Sequence, residues 1–175
     1  MPFCSPAPRT LARSFAPALL AAGLVLGVAP PTALAHCQVP CGIYGDTLKL
    51  DQLNQDVETV RKATAELHKL LDGSAPDAQT AQQIVRWTTN KEAHADRIMQ
   101  EMQSYFLAQR VKLPADDASD DDRAAYLQQL HEIHAVIVHA MKTKQQADPA
   151  AVEGLQQSLD TFRQSYLGEH EGHTR

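Results

Sequence analysis

The sequence predicts an all-α protein, an up-and-down four-helix bundle that follows a short cysteine-containing segment. Apolar residues recur at three- and four-residue spacing between residues 46 and 166, which is the period of amphipathic helices. Clusters of proline, glycine and aspartate divide this stretch into four segments, and no segment alternates apolar and polar residues as a strand would. Four helices with short connections favour a bundle.

The first 35 residues are predicted to be a cleaved signal peptide. Arg9 and Arg13 precede an apolar run over 15–28, and Ala33-Leu34-Ala35 offers the small residues that signal peptidase accepts before a cut. The run is shorter than the ~20 residues that a transmembrane helix needs. A retained membrane anchor and a lipoprotein signal that acylates Cys37 are the alternatives.

Cleavage after Ala35 would leave 140 residues with 14 basic and 21 acidic side chains, a net charge of −7. This length suits one domain, and the absence of a basic patch argues against nucleic acid or an anionic membrane as partner. We therefore expect an exported protein, periplasmic or extracellular, with no membrane contact after cleavage. Cys4 is lost with the signal peptide, so only Cys37 and Cys41 remain.

The first helix is predicted to begin with Asp46 as its N-cap and to be closed by Gly73. Its apolar positions are Leu50, Leu53, Val57, Val60, Leu67 and Leu71, with Thr64 at the one missing position. A turn over 74–77 starts the second helix, which should end before Pro114. Its stripe contains Ile84, Trp87, Ala95, Ile98, Met102 and Phe106 and is interrupted by Lys91 and His94. We expect Trp87, Met99 and Met102 to lie in the core.

The third helix is predicted to follow the acidic loop 114–122, with Asp120 or Asp121 as its N-cap. Its apolar seam is Leu127, Leu130, His134, Ile137 and Met141. Asp148 and Pro149 predict the start of a fourth helix, whose seam is Val152, Leu155, Leu159, Phe162 and Tyr166. The bundle would span 46–167, followed by a flexible polar tail over 168–175.

The segment 36–44 reads His-Cys-Gln-Val-Pro-Cys-Gly-Ile-Tyr, and cleavage would free the α-amine of His36. The amine, the amide nitrogen of Cys37 and its thiolate could then close two adjacent five-membered chelate rings on one metal ion, which favours a planar arrangement. The Cys41 thiolate could supply the fourth corner, and the His36 imidazole could approach an axial position. Two nitrogens and two sulfurs in a plane suit Ni(II) or Cu(II), whereas zinc prefers a tetrahedron.

The motif His36-Cys37-x-x-Pro40-Cys41-Gly42-x-Tyr44 resembles the N-terminal hook of nickel superoxide dismutases. The resemblance implies a small four-helix bundle assembled as a homohexamer, with one nickel ion per subunit cycling between Ni(II) and Ni(III), superoxide as substrate and no further cofactor. It assigns the metal ligands to His36 (amine and imidazole), Cys37 (amide nitrogen and thiolate) and Cys41 (thiolate). Tyr44 would stand over the open face of the metal, so that Tyr44 and His36 would be the catalytic residues.

The resemblance has departures and open points. The third hook residue, often acidic in the family, is Gln38, and an export signal replaces the short pro-sequence of many members. A partner for the His36 imidazole among Arg86, Glu92 and His94 cannot be assigned from the sequence.

Other interpretations remain open from the residues alone. One is an exported nickel- or copper-binding or delivery protein without turnover, and another is a helical interaction module with a Cys37–Cys41 disulfide. His131, His134 and His139 could suggest a second metal site, but a core histidine at His134 is the favoured interpretation. His170 and His173 are expected to be exposed.

Overall fold

The computed structural model describes residues 45–73 and 75–172, with side chains to residue 168. The helices are α1 (Asp46–Leu71), α2 (Ala78–Glu101), α3 (Asp120–Gln145) and α4 (Pro149–Gly172), and α2 continues directly into a π-helical segment (Met102–Arg110). The described residues contain no strand, so the predicted all-α class is confirmed. The predicted signal peptide (1–35) and residues 36–44 of the predicted hook (36–45) lie outside the described residues.

The four helices form a ring in which α1 packs against α2 and α4, and α3 packs against the same two helices. The pairings run antiparallel: Lys49 near the start of α1 meets Glu101 at the end of α2 at 3.1 Å, and Asp46 meets Tyr166 near the end of α4 at 2.8 Å. Further along α1, Arg61 pairs with Glu153 near the start of α4 at 3.2 Å. The order is that of an up-and-down four-helix bundle, as predicted.

The core contains the apolar positions predicted for α4 and those predicted for α1 except Leu71, which is 61% exposed. In α1 the residues Leu50, Leu53, Val57, Val60, Thr64 and Leu67 are buried, and in α4 so are Val152, Leu155, Leu159, Phe162 and Tyr166. In α2, Ala95 and Ile98 are buried as predicted, and Met99 packs at the edge of the core. Met102 and Phe106, predicted for the same helix, are buried in the π-helical segment. Trp87 is only half-buried and lies outside the core cluster, so its predicted core position is wrong.

The helix boundaries differ from the prediction at three ends. Gly45 precedes α1 in an extended conformation, and Asp46 is the first helical residue rather than the N-cap. Ser119, not Asp120 or Asp121, caps α3 through a capping box with Asp122. Helix α4 continues to Gly172, five residues beyond the predicted end at 167. The predicted Asp148 cap of α4 is confirmed, because its carboxylate accepts the amide N–H of Ala150 at 2.9 Å.

Helix α3 buries a different stripe from the predicted one. The buried residues are Glu132, Ile133, Val136, Ala140 and Thr143, whereas Leu127 and Met141 are 62% and 42% exposed and His134 is exposed. The two stripes have the same spacing and lie about 120° apart around the helix axis. The buried one contains Ala140, Thr143 and β-branched residues, whose small size lets α3 approach α2 and α4 closely. The predicted core position of His134 is therefore wrong.

Lys91 explains why the apolar stripe of α2 is interrupted. Its side chain is 2% exposed, and its amine donates to the carbonyl of Thr143 and to those of Lys144 and Gln146, each at 3.2 Å. These carbonyls end α3, where the last turn has no partners of its own and the helix dipole favours a cation. Burial lowers the pKa of Lys91, and the three carbonyls satisfy the buried amine.

Candidate metal centre

The hook segment joins the bundle at the first turn of α1. Residues 36–44 lie outside the described residues, so the structure shows the attachment point and not the ligands. At that point Gly45 has φ −70° and ψ 143°, and Asp46 follows as the first residue of α1. The side chain of Asp46 is the described carboxylate nearest in sequence to the hook.

Among the residues that the structure describes, three side chains from two other elements hold Asp46. Tyr105 of the π-helical segment donates its hydroxyl to Asp46 Oδ1 at 2.6 Å, and Tyr166 of α4 donates to Oδ2 at 2.8 Å. Arg110 Nε lies 2.9 Å from Oδ1 and forms an ion pair. The side chain of Asp46 is 26% exposed, so these contacts replace much of the water that a carboxylate would otherwise bind. We call these four residues the Asp46 cluster.

The π-helical segment places two members of the Asp46 cluster side by side. Its wider turn is visible where Val111 N–H donates to the carbonyl of Phe106, five residues earlier, at 2.9 Å. Tyr105 and Arg110 are also five residues apart, and the Arg110 guanidinium donates to the Tyr105 hydroxyl at 2.5 Å. Short π-helical stretches are frequent at functional sites.

Aromatic packing fixes the two tyrosines of the cluster. Phe106 makes edge-to-face contacts with Tyr105 and with Tyr166, with ring centroids 5.1 and 5.3 Å apart. Phe162 completes the group at 5.0 Å from Phe106. Contacts of this kind stabilise by about 0.5–1.5 kcal/mol each beyond the apolar area that they bury.

The protonation states of the Asp46 cluster follow from burial. Burial raises the pKa of Tyr166, and its hydrogen bond to Asp46 raises the pKa further. The same two causes raise the pKa of Tyr105, while the hydrogen bond with Tyr105 raises the pKa of Arg110. Both phenols therefore stay neutral at neutral pH and act as donors to Asp46.

Two cations flank the ring of Tyr105 at this end of the bundle. The Arg110 guanidinium lies 4.7 Å from the ring centroid and the Lys49 amine 5.3 Å from it. Each cation is paired with a carboxylate, Arg110 with Asp46 and Lys49 with Glu101. Within the described residues the charges of Asp46 and Arg110 balance, and the cluster ties the first turn of α1 to the π-helical segment and to α4.

A polar cleft of about 500 Å³ opens between α1 and α2 near the same end of the bundle. Its wall includes Gln52, Asp56, His94 and Arg97. His94 Nδ1 donates to Asp56 Oδ1 at 2.6 Å, and Arg97 lies 3.2 Å from the same oxygen. Gln52 is six residues after Asp46, or about 9 Å along the helix axis. Of the three side chains that the sequence left open, His94 is the one that lines this cleft, while Arg86 lines a separate groove beside Trp87.

The histidines of α3 do not form a second metal site. His131 and His134 are exposed, and His139 packs against Gly154 of α4. Within the described ranges 45–73 and 75–168, no group of three histidine, cysteine, aspartate or glutamate side chains could hold a metal ion. His170 and His173 lie beyond the described side chains.

The donors of the hook fit nickel by their chemistry. Two thiolates, an amide nitrogen and an amine are the anionic and soft ligands that stabilise a square-planar divalent ion, and the same anionic donors make its higher oxidation state accessible. This fit concerns the donor set in the sequence, and the positions of Tyr44, His36, Cys37 and Cys41 relative to the bundle are not described.

The helical bundle and its N-terminal pair of cysteines define a small all-α metalloprotein. A sequence model of the family described as nickel-containing superoxide dismutase matches residues 31–170, which include the hook motif and almost all of the bundle. The chain belongs to this family. No curated protein and no solved structure matches it.

The protein is therefore a nickel-dependent superoxide dismutase, an oxidoreductase that disproportionates superoxide to oxygen and hydrogen peroxide through Ni(II)/Ni(III) cycling. The match supports the dismutase over the delivery protein and over the disulfide-linked interaction module. The contact between Asp46 and Tyr166 was not predicted from the sequence. An aspartate at the start of a helix predicts an N-cap residue, and a tyrosine on an apolar seam predicts a core residue.

Proposed function

We propose that the chain is exported and cleaved after Ala35, and that His36 as the new first residue completes the nickel site. The ligands are the amine and imidazole of His36, the amide nitrogen and thiolate of Cys37 and the thiolate of Cys41. The hook sequence carries this proposal, since its donors lie directly after the predicted signal-peptidase site and within the family match. When bound, nickel supplies one-electron oxidation and reduction of superoxide.

The remaining hook residues act on access and shape. Pro40 and Gly42 allow the tight loop that returns Cys41 towards Cys37. By the family resemblance Tyr44 would lie near the bound metal, where its hydroxyl would order water or a small anion and its ring would limit access.

The bundle supports the hook at its base. Because the Asp46 cluster fixes the first turn of α1, the chain leaves the bundle at Gly45 in a defined direction. The nine residues 36–44 can span up to about 30 Å, enough for the hook to fold back against the cleft beside Asp56 and His94. In that position the Asp56–His94 pair offers a polar partner to the His36 imidazole.

Localisation and assembly belong to the same proposal. The signal peptide delivers the protein to the periplasm or the exterior, where nickel binds before the thiols of Cys37 and Cys41 oxidise. By family resemblance the subunits form a homohexamer. In the described part of the chain, no helix has the length and apolar character to cross a membrane.

The ligand assignment is tested with Cys37→Ser and Cys41→Ser in the chain that begins at His36. Each substitution should abolish dismutase activity, the thiolate-to-nickel absorption bands and stoichiometric nickel in elemental analysis. His131→Ala is the matched control, because it removes an exposed potential ligand outside the hook and should change none of the three. Full activity of either cysteine variant would contradict the assignment.

Export is tested separately on protein purified from its own host. N-terminal sequencing should give His36 as the first residue, and elemental analysis of the same sample should give one nickel per chain. A first residue upstream of His36 in active protein would refute the proposed maturation.

A further inference from the structure

The apolar stripe that α3 leaves outside the core forms a regular seam on the surface. Leu127, Leu130, His134, Ile137 and Met141 follow one another at alternating spacings of three and four residues, and we call these five residues the α3 seam. Leu127 is 62% and Met141 42% exposed, His134 is exposed, and Leu130 and Ile137 are half-buried at the edge of the core. This spacing is the heptad pattern by which two helices pack side by side.

Charged residues continue the same spacing at both ends of the α3 seam. Asp120 and Arg123 precede it, and Lys144 follows it. Asp120 and Arg123 are exposed, and the side chain of Lys144 is 30% exposed and pairs with Asp96 at 2.7 Å. The extended seam thus begins with the acidic Asp120 and the basic Arg123, is apolar apart from His134 in its middle, and ends with the basic Lys144.

We propose that α3 pairs antiparallel with α3 of a second copy of this chain through the α3 seam. The antiparallel direction brings Asp120 of each copy to the partner's Lys144, whereas a parallel pair would place Asp120 against Asp120 and Lys144 against Lys144. In the same register Leu127 packs on the partner's Ile137 and Leu130 on the partner's His134. The contact is isologous, which means that both copies contribute the same surface, the α3 seam, to the interface.

The size of the seam decides how strong this contact is by itself. Residues 127–141 span about 21 Å of helix, and one helix pair of that length buries less than the ~1,200–2,000 Å² of a stable interface. The contact is therefore weak alone and acts with a further interface. The α3 contact rests on the proposed function in one respect: a closed hexamer of two trimers requires a two-fold contact, and the α3 seam supplies it. The contact does not depend on the hook.

The test is sedimentation equilibrium of the nickel-loaded chain that begins at His36. Leu127→Lys places a charge at the first position of the α3 seam and should halve the mass of the assembly. Leu113→Lys is the matched control, because Leu113 is 82% exposed and lies in the loop between the π-helical segment and α3; its assembly should keep the native mass. An unchanged mass for Leu127→Lys, or a native chain that is monomeric at 100 μM, would overturn the proposal.

Two further variants test the register. Asp120→Lys and Lys144→Glu should each raise the dissociation constant of the two-fold contact several-fold, and the double variant should recover most of the affinity because the charges are exchanged. His134→Leu should tighten the contact by about tenfold, since a leucine is buried there more favourably than a histidine. Failure of the rescue, or weaker association of His134→Leu, would refute the antiparallel register.

Nickel content measured on the same samples separates this inference from the proposed function. Leu127→Lys should retain one nickel per chain while its mass is halved. If Leu127→Lys keeps the native mass and its nickel, the proposed α3 contact is wrong and the proposed nickel hook stands. If the native chain binds no nickel but its mass still falls on Leu127→Lys, the proposed hook is wrong and the α3 contact stands.

Discussion

Tyr166→Phe removes the hydroxyl that donates to Asp46 in the Asp46 cluster. The ring of Tyr166 is 1% exposed and phenylalanine keeps its packing on Phe106 and Phe162, so the substitution removes the hydroxyl and creates little cavity. The lost bond joins the hydroxyl to Asp46 Oδ2 at 2.8 Å. Hydrogen bonds to charged groups contribute about 1.5–3 kcal/mol, and the partial exposure of Asp46 places the expected loss near the lower end, at about 1.5–2 kcal/mol.

Thermal and urea unfolding of the metal-free chain at pH 7 measure this loss. A loss of about 1.5–2 kcal/mol corresponds to a fall in Tm of about 6–8 °C for a domain of this size. Tyr126→Phe is the matched control: Tyr126 is half-buried in α3, and its substitution should change the free energy of unfolding by less than about 0.5 kcal/mol. Equal losses in the two variants, or no loss in Tyr166→Phe, would refute the anchoring role of the Asp46 cluster.

Three other predictions concern stability and follow from the same structure. The pKa values of Tyr105 and Tyr166 are raised in the folded state, so the folded protein keeps these protons to a higher pH than the unfolded chain does. The urea midpoint should therefore fall as the pH rises above about 10, and it should fall less steeply in Tyr166→Phe. Lys91→Met leaves the last carbonyls of α3 without their donor and should lower the free energy of unfolding in urea by about 2–3 kcal/mol. The control Lys62→Met, at an exposed position, should lower it by less than about 0.5 kcal/mol. Equal losses in the two variants would contradict the capping role of Lys91. Gly154→Ala should stabilise α4 by about 0.5–1 kcal/mol, because the added Cβ would meet the His139 ring at an ordinary 3.7 Å, and a lower Tm would contradict this.

The helices of the bundle were predictable where a single apolar stripe exists. In α1 and α4 one face carries most of the large apolar residues, and the structure buries that face except for Leu71 at the end of α1. In α3 two stripes share the same spacing, and only packing against α2 and α4 decides between them. The larger stripe, with Leu127 and Met141, was the natural choice from the sequence and remains at the surface.

The site was predictable only in its local part. Donors that lie within six residues of His36 can be recognised from their order, since chelation depends on neighbouring atoms along the chain. The Asp46 cluster depends on contacts between residues as distant as Asp46 and Tyr166, and on the π-helical segment that brings Arg110 beside Tyr105. Neither feature has a signature in the spacing of apolar residues. The buried Lys91 did leave one, as the interruption of the α2 stripe, but its partners at the end of α3 could not be inferred.

The central claim is that nickel binding requires His36 as the first residue. The most direct test compares the chain that begins at His36 with one that retains Ala35, in which the amine of His36 has become an amide and can no longer serve as the same ligand. After reconstitution with nickel, the chain beginning at His36 should bind one nickel per subunit and dismutate superoxide, and the chain retaining Ala35 should do neither. Equal nickel content and full activity in the extended chain would contradict the account.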